Sequence, residues 1–221
     1  EQTDFRLSEV LDGLLDMSPL VRLVRSTLSA ERMARSRVGF HACAVDIASG
    51  EAVYADQADP RILDYIVAST AIPLVMPVAM VGATPLWDGG IREVAPLRKA
   101  IVDAKATEIV CVACDPTRPG GAAIRGGKAP LLELAGRLMD IVVSEMLAND
   151  IEAARNVNRY LEENPAPRGR LAERRRIPIA EIRPATPLVI ELESCTAHDI
   201  AAVVRLGRER AAAAWPVRGV P

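Results

Sequence analysis

The residues that most suggest chemistry are Asp88-Gly89-Gly90. They follow a short apolar stretch, Pro85–Trp87, that reads as a strand. The carboxylate is therefore expected at a strand end, and in α/β sheets ligands bind beyond the carboxyl ends of strands. Two glycines behind it are expected to allow positive φ and to let backbone or substrate approach closely. The same three residues also make a common tight turn, so residue type alone leaves both readings open. Ser69 is a nucleophile candidate, but it lacks the flanking glycines of a sharp elbow and is read as a small residue packed near the site. His41 and His198 would be the histidines of a Ser-His-Asp triad. His41 falls in an apolar strand and His198 in the first turn of a helix, where an ordinary packed or surface histidine is the simpler reading.

Metal chemistry is not expected. Cys111 and Cys114 have C-x-x-C spacing, but they lie in an apolar run, Glu108–Cys114, that reads as a buried strand. Positions three apart on a strand point to opposite faces, and there is no second C-x-x-C. No ligand cluster stands elsewhere, so neither metal nor cofactor is called for.

Composition narrows the class. The chain has 221 residues, half of them hydrophobic, enough for one sizeable core, and one domain is the simplest count. Aromatics are only 3%, so the core must be built from Ala, Val, Ile and Leu, and stacking platforms for bases are scarce. A formal net charge of -2 excludes a strongly basic nucleic-acid protein. No apolar run reaches roughly eighteen residues, so no transmembrane helix is expected, and no signal pattern is visible.

The elements that must position Asp88 follow from periodicity. Residues 4–37 carry apolar residues at helical spacing: Leu7, Val10, Leu11, Leu14 and Leu15 on one face, with Pro19 opening a second segment. Val38–Asp46 reads as a buried strand and Glu51–Tyr54 as its return. Asp59-Pro60 starts a helix with Ile62, Leu63, Ile66 and Val67 inward. Pro96 opens another, with Leu97, Ala100, Ile101 and Ala104 on one face. A helix is expected from about Leu131 to Glu163 with a break near Asn149, then an irregular basic stretch over 164–187. A last strand, Leu188–Leu192, precedes a helix over Thr196–Ala214 that opens on a capping-box-like Thr196 and Asp199. This alternation predicts an α/β fold with a mostly parallel central sheet flanked by helices.

Ala68-Ser69-Thr70-Ala71-Ile72-Pro73, followed by Trp87-Asp88-Gly89-Gly90 and then Pro96-Leu97, resembles the patatin-like phospholipase family. The match runs roughly from Val38 to Ala214, and its specific part is Ala68–Leu97. Val94 stands where the family often has Asn. The resemblance implies one patatin-like hydrolase domain over residues 1–221 and a Ser-Asp dyad in which Asp88 is the base. A serine hydroxyl is a weak nucleophile until a base accepts its proton, and burial can raise a carboxylate into the range where it does so. In the family an oxyanion hole comes from a glycine-rich loop, and the nucleophile sits in G-x-S-x-G. This chain contains no G-x-S-x-G, and its paired glycines, Gly120-Gly121 and Gly126-Gly127, come too late for the loop. Both family motifs lie N-terminal to the region matching Val38. The expectation is therefore a C-terminal part of such a domain, N-terminally incomplete and inactive alone, whose partner is the missing N-terminal segment.

The implied activity is carboxylic ester hydrolysis on lipid, with Asp88 catalytic, Gly89, Gly90 and Ser69 lining the site, no cofactor, and no nucleic acid as partner. A cytoplasmic location, peripheral to membrane, goes with it. Arg168, Arg170, Arg174, Arg175 and Arg176 are either a solvated face or a contact for anionic headgroups, each basic residue adding about 1 kcal/mol. The alternative is a non-catalytic interaction or regulatory module on the same fold, since fold does not fix function.

Overall fold

The computed structural model describes residues 15–116, 131–188 and 196–215. The chain divides into two compact units, Glu1–Val94 and Ala95–Pro221.

In the first unit, helix α1 (Ser18–Thr27) has Pro in its first turn and buries Val24. Its Arg25 reaches Asp64 at 2.8 Å. A short helix α2 (Ala30–Ala34) is capped by the Ser29 hydroxyl. Strands β1 (His41–Asp46) and β2 (Ala52–Asp56) pair antiparallel, Cys43 opposite Tyr54 and Ala44 opposite Val53. Their turn is local chemistry: the Asp46 carboxylate accepts from the Ala48 N–H at 2.8 Å, and Gly50 takes φ +70°. Helix α3 (Ile62–Ala68) follows a turn in which Asp59 accepts from the Arg61 N–H at 2.7 Å. The capping aspartate thus sits one turn before the regular helix. Strands β3 (Ala79–Val81) and β4 (Thr84–Asp88) complete a four-stranded sheet of order β2-β1-β4-β3.

All pairings in that sheet are antiparallel, which corrects the expectation of a mostly parallel central sheet. The reason lies in the connections. Parallel neighbours need crossovers of about a dozen residues or more. Here β1 and β2 are joined by residues 47–51, and β3 and β4 by residues 82–83, with Gly82 at φ +65°. The core on one sheet face is Ala42, Ala44, Ala55, Ile62, Tyr65, Ala68, Val81 and Leu86. The alanines let α3 lie close to the strands. Its deepest residues are Ile62, Tyr65 and Ala68, while Leu63 and Ile66 are only partly buried.

The second unit holds the parallel pairing. After Leu97 a π-helical turn covers Lys99–Asp103, in place of the regular helix expected behind Pro96. Strand β5 (Ile109–Val112) pairs parallel with β6 (Ile179–Ile182), with helix α4 (Leu131–Glu163) between them in sequence. Strand β5 is not buried throughout as expected: Ile109 and Cys111 are buried, but Val112 is 70% exposed. Strand β6 lies within the stretch expected to be irregular, and its four residues gave too short a signal. Helix α4 runs without a break through Asn149, which donates to Glu145 four residues back at 3.3 Å. Ser144, Leu147 and Ile151 form its buried stripe. Asn158 extends that face and clamps the chain entering β6: its amide donates to the Ile177 carbonyl at 2.7 Å and accepts from the Ile177 N–H at 2.9 Å. Helix α5 (Ala197–Ala214) packs on β6 and opens on the expected capping box of Thr196 and Asp199. Among the described residues no helix is long and apolar enough to cross a membrane. The expected strand Leu188–Leu192, the glycine pairs at 120–121 and 126–127, and residues 4–14 lie outside the described set, apart from Leu188 itself.

The Asn158 clamp yields a prediction. Asn158→Ala leaves both backbone groups of the buried Ile177 without these partners and should cost about 1–3 kcal/mol. Urea unfolding checks this, and a loss under about 0.5 kcal/mol, the level of an ordinary surface change, would show that the clamp is incidental.

Candidate functional site

Asp88 is the last residue of β4 and sits opposite Ala44 of β1. The chain then turns at once into a single 3-10 turn, Gly89–Ile91. Two hydrogen bonds fix the aspartate. Its backbone N–H donates to the Ala71 carbonyl at 2.9 Å, and its side-chain Oδ1 accepts from the Gly90 N–H at 2.7 Å. The first ties the strand end to the segment after α3, where Ala71 is fully buried. The stretch 68–73 and the stretch 87–90, separated in sequence, therefore meet in space.

Of the two roles expected of the glycines, only close approach is seen. Neither Gly89 nor Gly90 has positive φ. Close approach is what position 89 requires: a Cβ there would stand 2.6 Å from both the carbonyl oxygen and the thiol sulfur of Cys43. At Gly90 a Cβ would lie 3.2 Å from Asp88 Oδ1, crowding the carboxylate itself.

Burial holds the Asp88 carboxyl above its ordinary range, opposed by the Gly90 hydrogen bond, which favours the ionised form. Three further groups, Cys43, Tyr54 and Glu93, lie near this strand end, and sequence reasoning missed them all. Burial also raises the half-buried Cys43 thiol, as do the nearby Glu93 and Asp88 charges, while the Tyr54 hydroxyl opposes the shift. Tyr54 donates a very short hydrogen bond to Glu93, and burial together with that bond holds its proton on. Glu93 in turn is locked to the turn, its N–H donating to the Gly89 carbonyl at 2.9 Å. The pairing of Tyr54 and Glu93, 39 residues apart, had no local sequence signal.

The other candidates fall elsewhere. The Ser69 hydroxyl donates to the Ile66 carbonyl at 2.8 Å, closing the end of α3, and among the described residues no hydrogen bond joins it to Asp88. Thr70 does the same to Val67 at 2.8 Å. His41 and His198 are both exposed. Cys111 is buried and Cys114 exposed, and no group of three metal-ligating side chains occurs among the described residues. In the basic stretch, Arg175 donates to the Lys105 and Ala106 carbonyls at 2.7 and 3.2 Å, and Arg176 pairs with Glu162 at 2.5 Å. Arg168 and Arg174 are exposed.

No protein-family model matches the chain, and no curated protein matches it. The chemistry thus rests on geometry: a partly desolvated carboxylate, rigidly held at a strand end, suited to accepting a proton.

Two measurements follow. Gly89→Ala forces the Cys43 backbone to move and should cost about 1–3 kcal/mol, whereas Gly39→Ala, with nothing within 4 Å, should stay within about 0.5 kcal/mol. Equal costs in urea melts would remove the packing argument at position 89. The second concerns pH. With its pKa raised, folded Asp88 holds its proton more tightly than the unfolded chain does. Its contribution to stability is present below the unfolded pKa and is lost as pH rises through the folded one. Asp88→Asn does not titrate, so its stability relative to wild type should be higher near pH 7 and fall on acidification to about pH 4. The opposite trend would mean that the folded-state pKa is lowered.

Proposed function

We propose that Asp88 is the base of a Ser-Asp dyad in a patatin-like lipid acyl hydrolase, working with a serine in a G-x-S-x-G segment that this chain does not contain. The observation that carries the reading is the hydrogen bond from the Asp88 N–H to the Ala71 carbonyl. It joins the two stretches on which the family resemblance rests, Ala68–Pro73 and Trp87–Gly90. The desolvation of Asp88 supports it further, because a carboxylate must be raised toward neutrality to take a serine proton. In the reaction the serine oxygen attacks the acyl carbonyl as its proton passes to the Asp88 carboxylate. The protonated carboxyl then gives that proton to the departing alcohol, and water releases the fatty acid from the acyl-serine. The Gly90 N–H holds one carboxylate oxygen, Oδ1, which leaves Oδ2 as the oxygen to accept the proton.

The test has two arms. The 221-residue chain alone should release no p-nitrophenol from a medium-chain ester above background. Joined to a segment bearing a glycine-rich loop and G-x-S-x-G, it should turn over, and Asp88→Asn should then reduce kcat by about 100-fold or more with the fold retained. A joined protein that is folded and inert would favour the non-catalytic module. Activity that survives Asp88→Asn would make the aspartate a turn residue.

The same reading puts the protein at a lipid surface. Arg175 and Arg176 are engaged with protein groups, so Arg168 and Arg174 are the better contacts for headgroups. Sedimentation with vesicles should rise with anionic lipid, weaken as salt shortens the roughly 10 Å screening length at 0.1 M, and drop on changing both residues to Ser. Binding indifferent to salt and to that change would exclude this surface.

A further inference from the structure

The second unit carries a groove unconnected with the dyad reading. It has a volume of about 230 Å3 and continues into a wider mouth of about 670 Å3, the two sharing Ile101, Val102, Arg174, Arg175 and Ile177. The floor is aliphatic, from Ile101 and Val102 of the π-helical turn, Val157 of α4, Leu171 and Ile177. Val102 and Val157 are exposed large apolar side chains that lie in it.

The rim is cationic. Arg98, Arg174 and Arg175 line the narrow part and Lys105, Arg174 and Arg175 the mouth, with Glu173 the one acidic side chain lining either part among the described residues. Arg175 is engaged in shaping the groove: its guanidinium holds the carbonyls of Lys105 and Ala106, and Lys105 stands at φ +53°. Arg98 and Arg174 have no ion-pair partner among the described residues. Arg98 and Arg174 both line the narrow part and are exposed, and a guanidinium group offers forked donors suited to a carboxylate. The trough below them has the apolar lining with few polar groups that marks small-molecule sites.

We propose that this groove binds a long-chain carboxylate as a single molecule, the head held by Arg98 and Arg174 and the alkyl tail laid along Ile101, Val102, Val157 and Leu171. A flat membrane surface would answer to the arginines but not to the recessed aliphatic floor. A small polar anion would answer to the arginines alone. The inference does not depend on hydrolysis and stands or falls separately from it.

Isothermal titration calorimetry of the full 221-residue chain tests it, with dodecanoate below its critical micelle concentration as the probe. Saturable binding is expected, with acetate and dodecyl maltoside at least about tenfold weaker, since each lacks the tail or the charge. Arg98→Ser with Arg174→Ser should weaken dodecanoate by at least about tenfold, and both are exposed positions where folding is not at stake. Val102→Glu puts a carboxylate in the trough and should abolish binding; circular dichroism controls for its fold. Binding equal for dodecanoate and dodecyl maltoside would overturn the carboxylate assignment. Dodecanoate binding unchanged in a folded Val102→Glu protein would overturn the location, and no saturable binding would overturn the site altogether.

Discussion

The site depends on the absence of a side chain at position 89. The backbone there presses on Cys43 so closely that a Cβ would overlap both its carbonyl and its sulfur. That contact sets where β4 ends against β1. From it follow the direct opposition of Asp88 and Ala44, the bond from the Asp88 N–H to Ala71, and the immediate 3-10 turn that brings the Gly90 N–H onto the carboxylate. Protein interiors are packed tightly enough that such a contact cannot be widened locally without moving the strands. One glycine thus fixes the position of the carboxylate on the residue before it.

The same crowding shapes the electrostatics. Asp88, Cys43, Tyr54 and Glu93 are all acids, and burial raises the first three. The charges of Glu93 and Asp88 add to the rise at Cys43, and those of Cys43 and Glu93 add to the rise at Tyr54. The Tyr54 hydroxyl donates a short hydrogen bond to Glu93, and the Glu93 N–H donates to the Gly89 carbonyl. Strand β2 is thereby linked across β1 to the turn after Asp88. The Asp88 strand end is held from both sides: the carboxylate oxygen by Gly90 and the turn by Tyr54 and Glu93.

What the sequence made legible was local. The return from β1 to β2, the strand before Asp88, the Pro19 helix start and the Thr196–Asp199 capping box each depend on residues within a few positions of one another. Sheet direction was not local. Alternating strands and helices suggested parallel pairing, but the five residues between β1 and β2 and the two between β3 and β4 decide for antiparallel hairpins. The candidate site divides the same way. Asp88 was visible because its neighbours in sequence mark a strand end. Tyr54 and Glu93 were not, because their meeting depends on the Cys43–Tyr54 register and on the turn at Gly89. Glycine was expected for conformational freedom and for close approach, and at 89 it is the close approach that requires it.

The basic stretch makes the corresponding point about charge. Five arginines in nine residues, 168 to 176, look in sequence like a uniform cationic face. In the structure the four whose side chains are described separate by role, Arg170 lying outside that set. Arg176 is neutralised by Glu162, and Arg175 is spent on two backbone carbonyls at the end of the π-helical turn, where Lys105 adopts a left-handed conformation. An arginine that satisfies carbonyls keeps its charge but loses donors to offer a ligand. Among the described residues Arg174 keeps both, and it lines the same groove as Arg98, 76 positions earlier in the chain. The useful cationic pair is therefore not a pair of sequence neighbours. Charge counting along the chain finds the field, but only the fold finds which guanidinium groups still have hydrogens to give and what apolar surface lies beneath them.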